Sequence, residues 1–506
     1  MNARESISVE RSGAENTVSP MLLAVLGEFH RLKISYCYWK SSRRVHSVLT
    51  GDGDVDLLVA KDDQHCAETA LLMQGFKRFP SVAHRDHPAI SSFLGFDQTS
   101  DRLIHFHLHF RLVVGERLLK IYRIPWEEAL LARSILHPTV PIRILDPASE
   151  AVLLAVRACL ELRRIDPITL RSWQATTHKF AVDRRELAAR VAPAMLRACA
   201  EGLLNEELAG MVCDAIYSRE PLQRHRRLRR TIQAHFAAHR SYNIVESRLR
   251  WAGRLVLWGA GSINKRLLHL PRPWSRRVPG GGCVVALTGV DGSGKTTVAS
   301  AIRTWLTPEI DLVPIYFGTG AGRPSLLLWP FKLMVPMLAR LMKTKPKGAS
   351  HGKISNRPTG PIYGLLLMVW AAVVAREKRN KLLAARRGAS RGMVVLTDRY
   401  PQNEIIGFND GPLLARLTRV PGWLLRFEAA AYELARRLPP DLVIKLIVTP
   451  QTAARREPDM DRGLIRERIE SLQLLAFPGA RVVCVDAEQP LANVIRTVKH
   501  EIWSLL

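Results

Sequence analysis

Hydrophobic residues in the amino-terminal part of the chain recur first with helical and then with strand-like spacing. Residues 20–32 place apolar side chains at the intervals of one helix face, and the aromatic and β-branched runs ISYCYW, VDLLVA and LIHFHLHFRLVV follow. Such runs are typical of strands, and a helical segment, DQHCAETALLMQG, separates two of them. The pattern predicts a small α/β or α+β domain over residues 20–137.

The next stretch has almost wholly helical spacing and ends at a segment rich in Pro and Gly. DPASEAVLLAVRACLELRR begins with an aspartate suited to capping a helix, and ELAARVAPAMLRACAEGLL continues the periodicity. LPRPWSRRVPGGG then interrupts it, as turn-forming residues do. These features predict a helical connector with a basic segment over residues 138–269 and a linker over residues 270–282.

From residue 283 onward, short apolar runs alternate with helical segments. The runs are VVALTGV, DLVPIYFG, GMVVLTD, DLVIKLIVT and ARVVCVDA. Strands that alternate with helices form parallel sheets covered on both faces. Residues 283–506 are therefore predicted to form a five-stranded parallel α/β domain, and the chain as a whole to be of the α/β class.

Charge is the unusual feature of the composition. The 506 residues carry a formal net charge of +28, and the segments Arg219–Arg277 and Lys332–Arg391 each carry a net +13. Both segments also contain Trp and Leu, a mixture that suits a helix lying on an anionic membrane surface. An arginine-rich helix that covers a neighbouring domain with its charges solvated is the simpler alternative. Nucleic acid is a third and less favoured partner.

Apolar segments long enough to cross or enter a membrane are not evident. The first twenty residues lack the apolar stretch of a secretory signal, which predicts a cytoplasmic location. If the basic segments bind a membrane, the protein would be peripheral to the inner membrane. Ile362–Ala375 has 14 residues, fewer than the roughly 20 that a membrane span needs. It is therefore predicted to be a buried helix.

The strand VVALT leads directly into a glycine-rich loop, GVDGSGKTT, which satisfies the pattern G-x-x-x-x-G-K-[ST] and opens a helix. Glycines let the backbone turn so that its amides face a β-phosphate, and the helix N-terminus favours the negative charge. Lys295 supplies a positive charge to the phosphates and Thr296 a hydroxyl to Mg²⁺. The sequence therefore predicts ATP and Mg²⁺ as cofactors, with a binding set of Gly289, Asp291, Gly292, Ser293, Gly294, Lys295, Thr296 and Thr297.

This loop resembles that of thymidylate kinases and related nucleoside monophosphate kinases. The strand GMVVLTD ends in Asp398-Arg399-Tyr400, similar to the Asp-Arg-Tyr or Asp-Arg-Phe motif after the third strand of that family. The resemblance implies that Asp398 orients Mg²⁺ or the acceptor and that Arg399 reaches phosphate. It also implies that Arg376, in the preceding helix, binds the acceptor phosphate.

A later segment, PPDLVIKLIVTPQTAARREPDMDRGLIRERIESLQ, is similar to the fourth strand and the arginine-rich lid of the same family. The resemblance implies that Arg455 and Arg456, with Arg462 and Arg466 next, close over ATP. A surface helix with solvated arginines is the alternative interpretation. With the last strand and helix included, the resemblance covers about residues 283–506.

The chain departs from thymidylate kinases where that family binds its acceptor. The family's Arg-Glu-Pro-Gly-Gly segment is replaced by residues 316–324, YFGTGAGRP, and the Asp-Arg-Tyr motif is followed by PQNEIIGFNDGPLL in place of the residues expected around thymine. A basic, apolar insertion over residues 325–360 has no counterpart. The resemblance therefore supports ATP as phosphoryl donor, whereas the acceptor is less well defined by it.

The amino-terminal domain carries a second constellation. Ser41 and Ser42 precede Asp54 and Asp56 by about a dozen residues, which resembles the small-residue pair and D-h-D strand of nucleotidyltransferases. Alternation along a strand points both carboxylates to one side, where they could share a Mg²⁺ ion. The family's third acidic position corresponds to His107, and imidazole does not supply the charge that a Mg²⁺ pair needs.

Two interpretations of the neighbouring histidines remain open. His105, His107 and His109 lie on the same face of the predicted strand and could form a metal site; alternation on a half-buried or solvated strand also explains them. For the domain as a whole, an active nucleotidyltransferase and a degenerate domain that binds a nucleotide or a partner are both compatible with the sequence.

Together these features predict a kinase-like transferase in which a thymidylate kinase-like P-loop domain transfers a phosphoryl group from ATP to a nucleoside monophosphate. The predicted catalytic residues are Lys295, Asp291, Asp398, Arg399, Arg455 and Arg456. One alternative is an ATP-binding regulator or scaffold at a membrane or a polysaccharide-assembly complex. Another is a nucleotidyltransferase regulated by the P-loop domain.

Overall fold

The computed structural model describes residues 18–116, 118–162, 170, 172–318, 361–405, 412–414 and 420–506. The described chain forms two compact units that divide between Ala260 and Gly261. The insertion predicted at residues 325–360 and the segment 319–324 lie outside the described residues, as does part of the basic segment Lys332–Arg391. The domain boundaries at residues 137, 269 and 282 stay predictions.

The amino-terminal unit is built around a seven-stranded mixed sheet and a separate two-stranded hairpin. The strands are β1 Tyr36–Tyr38, β2 Asp54–Val59, β3 Lys77–Arg78, β4 Ile90–Asp97, β5 Arg102–His109, β6 Leu112–Gly115, β7 Lys120–Ile124, β8 Ser134–Leu136 and β9 Arg143–Leu145. The order in the large sheet is β3-β4-β5-β2-β1-β9-β8, and β6 pairs with β7 in the hairpin. The helices are α1 Pro20–Arg31, α2 Val45–Leu49, α3 Gln64–Met73, α4 Glu127–Ala132, α5 Pro147–Glu161, α6 Trp173–Arg190, α7 Pro193–Leu203, α8 Glu206–Tyr217, α9 Arg226–His235 and α10 Ile244–Ile263.

Alternation along β2 separates a packed face of this sheet from a polar one. Val55, Leu57 and Val59 are fully buried and belong to one core cluster with Phe29 of α1. Because successive side chains of a strand point to opposite faces, Asp54 and Asp56 lie on the other face. The sheet thus presents its carboxylates on the side opposite to α1.

The predicted helical stretch forms around α5, which is buried along nearly its whole length. Asp146 caps this helix by accepting hydrogen bonds from the backbone N–H groups of Ala148, at 3.0 Å, and Ser149, at 3.1 Å. This arrangement satisfies two of the N–H groups that lack partners at a helix start. The surrounding helices pack on α5 in one apolar cluster.

The carboxy-terminal unit contains a five-stranded sheet with order β11-β12-β10-β13-β14. All pairs are parallel, so the predicted α/β class is confirmed. The strands are β10 Cys283–Gly289, β11 Leu312–Tyr316, β12 Val394–Asp398, β13 Leu442–Ile447 and β14 Arg481–Asp486. The helices are α11 Lys295–Leu306, α12 Pro361–Ser390, α13 Gly422–Arg437, α14 Pro450–Arg456, α15 Arg462–Leu474 and α16 Leu491–Leu505.

The segment before β10 is fixed to this sheet by backbone hydrogen bonds. The Asp311 carboxylate accepts from the N–H groups of Trp274, at 2.6 Å, and Ser275, at 2.5 Å, and pairs with Lys265 at 2.9 Å. Further along, the N–H of Gly282 donates to the carbonyl of Ala389 at 2.8 Å. The Pro- and Gly-rich stretch is thus held to the start of β11 and the end of α12.

The apolar run Ile362–Ala375 forms the first half of α12. Ala371 and Val374 are buried in one cluster with Leu414 and Leu424, whereas Leu365 and Val369 are exposed. The prediction of a buried helix therefore holds for one face of this run and is wrong for the other. Within the described residues, no helix combines the length and the apolar character that a membrane span requires.

Candidate phosphate-binding site

The glycine-rich loop connects the central strand of the carboxy-terminal sheet to the helix that follows it. β10 ends at Gly289 and α11 begins at Lys295. Gly292 has φ +80° and Gly294 has φ +88°, a left-handed backbone region that glycine enters without steric cost. A Cβ atom on Gly289 would lie 2.4 Å from Oγ of Ser293, so the loop can close this tightly only with glycine there.

Lys295 lies inside the loop. Its Nζ donates to the carbonyl oxygens of Gly289, at 2.9 Å, and Val290, at 2.7 Å. Burial lowers the pKa of the Lys295 ammonium to about 8, although the carboxylate of Asp291, whose Oδ1 is 3.9 Å from Nζ, opposes that shift. The ammonium group is therefore held in a buried position by backbone dipoles, where an anionic ligand would bind it strongly.

Asp291 is contacted by arginines from two other parts of the unit. Its Oδ1 accepts from Nη2 of Arg399 at 3.1 Å, and its Oδ2 accepts from Nη1 of Arg468 at 2.7 Å. Charge-assisted hydrogen bonds of this kind are short and directional. The Asp291 carboxylate therefore joins the loop to the end of β12 and to α15.

Asp398 ends β12 next to the loop. It lies opposite Leu287 of β10 in the parallel register. Arg399, the next residue, has φ +66° and donates its N–H to the carbonyl of Leu287 at 2.8 Å. A left-handed arginine is conformationally costly, and such residues concentrate at functional sites.

The Asp398 carboxylate has an oxygen suited to a cation. Its buried Oδ1 accepts no hydrogen bond from the residues that the structure describes. Burial raises the pKa of Asp398, and the charges of Lys295 and Arg399 lower it in part. A hard carboxylate oxygen beside a loop that offers the hydroxyl of Thr296 is the donor type that Mg²⁺ prefers, so the residues fit that ion.

The predicted lid comprises α14 and α15. Arg456 donates from Nη1 to the carbonyl of Gly292 at 3.0 Å, which places this predicted arginine on the loop. The side chains of Arg455, Arg462 and Arg466 are exposed.

The arginine of α15 that reaches the loop is Arg468, which was not among the residues predicted from the sequence. Arg468 lies on the same face of α15 as the buried residues Ile465, Ile469 and Leu472. This shared face is the sequence signal that could have identified it.

The predicted acceptor residue Arg376 is exposed on α12. Five residues further along the same helix, Lys381 donates from Nζ to the carbonyl of Tyr316 at 2.6 Å, at the end of β11, and pairs with Glu377. Lys381 is thus a basic residue of α12 that lies at the end of β11, where the segment 316–324 begins. The role of Arg376 stays a prediction.

The aspartates and histidines of the amino-terminal constellation lie on two paired strands, β2 and β5. Parallel pairing sets Asp54 opposite His105 and Asp56 opposite His107. Burial favours a raised pKa for Asp56, yet the nearby Lys40 and the hydrogen bonds from His107 and His109 hold it well below its usual value. His107 therefore lies beside Asp56, with its Nδ1 3.4 Å from Oδ1 of the carboxylate, and its correspondence to a third carboxylate stays a prediction.

Comparison with known proteins identifies relatives from Escherichia coli. The protein of strain K12 called "Uncharacterized ATP-binding protein YghS" is 30% identical over 227 residues, which is 44% of this chain and 93% of that protein. The similarly named YghR of the same strain is 25% identical over 238 residues, which is 46% of this chain and 89% of that protein. No protein-family model matches the chain.

Proposed function

The chain belongs to the family of ATP-binding proteins that includes YghS of Escherichia coli, and from this premise we propose that it transfers a phosphoryl group from ATP. The acceptor that we propose is a nucleoside monophosphate, as in the thymidylate kinases that the loop and the Asp-Arg-Tyr motif resemble. Thymidylate itself is one candidate within that class, although the residues around its base differ in this chain.

One observation carries this proposal. The phosphate loop, the Asp398 carboxylate and two lid arginines meet at the carboxyl end of the central strand β10. Arg456 contacts Gly292 at 3.0 Å and Arg468 contacts Asp291 at 2.7 Å. In open α/β sheets this edge is where ligands bind. A loop that only fixed the fold would need neither the lid arginines nor a buried carboxylate at the end of the neighbouring strand.

The proposed roles follow from these positions. The loop amides and Lys295 bind the β- and γ-phosphates, for which Lys295 exchanges its bonds to Gly289 and Val290 for phosphate oxygens. Arg399 and Arg468, oriented by Asp291, stabilise the charge that develops on the transferred group. Mg²⁺, held by Thr296 and Asp398, would neutralise phosphate charge when bound.

The function is tested by incubating the purified chain with Mg²⁺ and γ-labelled ATP across a panel of nucleoside monophosphates. Labelled nucleoside diphosphate is the expected product, and Lys295→Ala should reduce its formation at least about 100-fold because transition-state charge stabilisation is lost. Arg303→Ala, on the far end of α11, serves as the control. ATP binding without acceptor-dependent ADP release would reject the enzyme and favour an ATP-binding regulator.

We also propose that the basic segment Arg219–Arg277 attaches the protein to an anionic membrane surface. Val245, Leu249 and Val256 are each about two-thirds exposed on α10, and their spacing sets them on one helix face. Arg248 is exposed beside them. An exposed apolar stripe flanked by arginines is the arrangement that binds at a lipid interface.

A further inference from the structure

A second cluster of ligand-type side chains lies in the amino-terminal unit, on β2 and β5. It consists of the carboxylates of Asp54 and Asp56 and the imidazoles of His105, His107 and His109. We propose that this cluster binds a divalent transition-metal ion, with Asp56, His107 and His109 as its principal ligands.

The sheet itself brings these side chains together. Parallel pairing aligns Asp54 with His105 and Asp56 with His107, and β4 pairs along the other edge of β5, with Ser92 opposite His107. Alternate residues of a strand share a face, so all five ligand-type side chains point to the same side. The positions are fixed by backbone pairing on both edges of β5 and do not depend on a loop.

The distances between donor atoms match a coordination sphere. Oδ1 of Asp56 is 3.4 Å from Nδ1 of His107 and 3.2 Å from Nε2 of His109, and Oδ1 of Asp54 is 3.0 Å from Nδ1 of His105. Ligands bound at about 2.0–2.2 Å with angles near 90–110° are roughly 3.0–3.5 Å apart. The ligand atoms of Asp56, His107 and His109 all lie within 4.8 Å of one another, so that side-chain rotations would bring all three around one ion.

The kind of donor selects the kind of ion. Imidazole nitrogen with carboxylate oxygen suits Zn²⁺, Co²⁺, Ni²⁺ or Fe²⁺, whereas Mg²⁺ and Ca²⁺ prefer oxygen ligands throughout. The cluster offers two carboxylates and three imidazoles, and His107 belongs to both of its possible three-residue sets. The substitution of histidine for a third acid thus changes the preferred ion from Mg²⁺ to a transition metal.

Neighbouring residues hold the ligands in place. Nζ of Lys40 lies 3.5 Å from Oδ2 of Asp56, which leaves Oδ1 directed at the histidines. The Trp39 ring meets the His109 ring edge-on, with centroids 4.9 Å apart. Contacts of this kind around metal ligands set their orientation and tune affinity.

The cluster is buried on one side and open on the other. The side chains of Asp56 and His109 are 13% and 6% exposed, whereas 21% of the His107 side chain and 49% of the Asp54 side chain are exposed. An ion could enter past His107.

The experiment uses the full chain. The protein is treated with a chelator to remove bound metal, the chelator is then removed, and no nucleotide is added. Co²⁺ is titrated and followed by its visible absorption and by calorimetry. We expect a site whose spectrum lacks sulfur-to-cobalt charge-transfer bands, which separates it from the cysteines. His107→Asn should weaken Co²⁺ binding at least about tenfold. His30→Gln, an exposed histidine of α1, is the matched control and should bind as the wild type does.

A folding defect is distinguished from a lost ligand by thermal unfolding. Binding to the native state raises the melting temperature, so Co²⁺ should stabilise the wild type and His30→Gln but not His107→Asn, whose metal-free melting temperature should match that of the wild type. Asp54→Asn changes a more exposed residue of the cluster, and we expect it to weaken Co²⁺ binding in the same way but by a smaller factor. Co²⁺ binding that is unchanged in both variants, or Mg²⁺ binding as tight as Co²⁺ binding, would overturn the proposal.

Discussion

Nη1 of Arg468 donates to Oδ2 of Asp291 across a distance of 2.7 Å and a sequence separation of 177 residues. The contact links the phosphate loop to the lid helix α15. An arginine that is already oriented at the loop loses less conformational freedom when it engages a ligand. Arg468 is therefore expected to be the lid residue with the largest effect on catalysis.

Arg468→Ala should lower kcat/KM for ATP about tenfold or more, because a charge-assisted contact to the transferred phosphate is removed. Arg466→Ala, two residues earlier and exposed on the same helix, is the matched control and should change it less than about twofold. Steady-state kinetics of both variants measure the difference. Equal losses in the two variants would contradict the assignment of Arg468 to the loop.

ATP affinity should depend on pH through Lys295. Because burial lowers the pKa of Lys295 to about 8, the amine is charged below that pH and must take up a proton to bind phosphate above it. Affinity should therefore be constant below pH 8 and fall by up to about tenfold per unit above it. Calorimetric titration with ATP measures this slope, which should vanish in Lys295→Ala.

Gly289→Ala should abolish ATP binding. The added Cβ would lie 2.4 Å from Oγ of Ser293 and 3.1 Å from the carbonyl oxygen of Leu446, so the loop must open away from β13. Gly422→Ala is the control, since a Cβ there meets nothing within 4 Å. Equilibrium ATP binding and thermal unfolding distinguish a distorted loop from general instability, which would lower the melting temperature as well.

Stability should depend on pH through Glu150 of α5. Burial raises the pKa of Glu150 to about 7, and Asp183 adds to the shift, whereas the backbone N–H of Ser42 donates to Oε1 at 3.0 Å and opposes it. The folded chain then holds a proton that the unfolded chain has released between about pH 4.5 and pH 7. The free energy of unfolding should fall as the pH rises through that window.

Glu150→Gln keeps the size of the side chain and an oxygen that accepts from Ser42, but it cannot ionise. It should remove this pH dependence and stabilise the amino-terminal unit by about 1–3 kcal/mol above pH 7. Urea unfolding at several pH values measures the effect. Glu128→Gln, exposed on α4, should leave the wild-type profile unchanged; an unchanged profile in Glu150→Gln itself would show that another group causes the dependence.

Membrane attachment through α10 predicts sedimentation with vesicles that contain phosphatidylglycerol and not with vesicles of phosphatidylcholine alone. Replacing Leu249 and Val256 together by Ser should abolish sedimentation, because burial of these apolar side chains in the membrane interface stabilises the bound state. Met195→Ser, at an exposed position of α7, is the control. Binding that survives the double substitution would indicate that the arginines act alone or that another segment binds lipid.

The sequence predicted the elements of the phosphate site well because their signals are local. A strand, a glycine-rich turn and a helix start lie within a few residues of one another, so spacing alone predicts the loop around Lys295. The five strands of the carboxy-terminal sheet were likewise predicted from apolar runs. The place of Asp398 was implied by the resemblance of Asp398-Arg399-Tyr400 to the motif that follows the third strand of thymidylate kinases.

Apart from Arg456, which the family resemblance implied to close over ATP and which contacts Gly292, the contacts between distant segments were not predicted. Arg468 was missed because the sequence shows several arginines in α15 and does not mark which of them faces inward. Only its position on the helix face of Ile465 and Ile469 distinguishes Arg468 from the exposed arginines. β4 was missed because apolar and polar residues alternate only weakly in ISSFLGFD. This segment is a strand because it pairs with β5. The bonds of His107 and His109 to the same oxygen of Asp56 depend on the parallel register of β2 and β5, which sequence spacing does not specify.

The hydrogen bonds that Asp311 accepts from Trp274 and Ser275 affect where the carboxy-terminal unit can be separated from the rest of the chain. A fragment that begins at Cys283 would leave the Asp311 carboxylate, which is almost fully buried, without Lys265 and both N–H donors. An isolated, unpaired buried carboxylate is strongly destabilising. The smallest piece that could be expressed alone, or joined to another protein during evolution, therefore begins before Lys265 and includes the whole Pro- and Gly-rich segment.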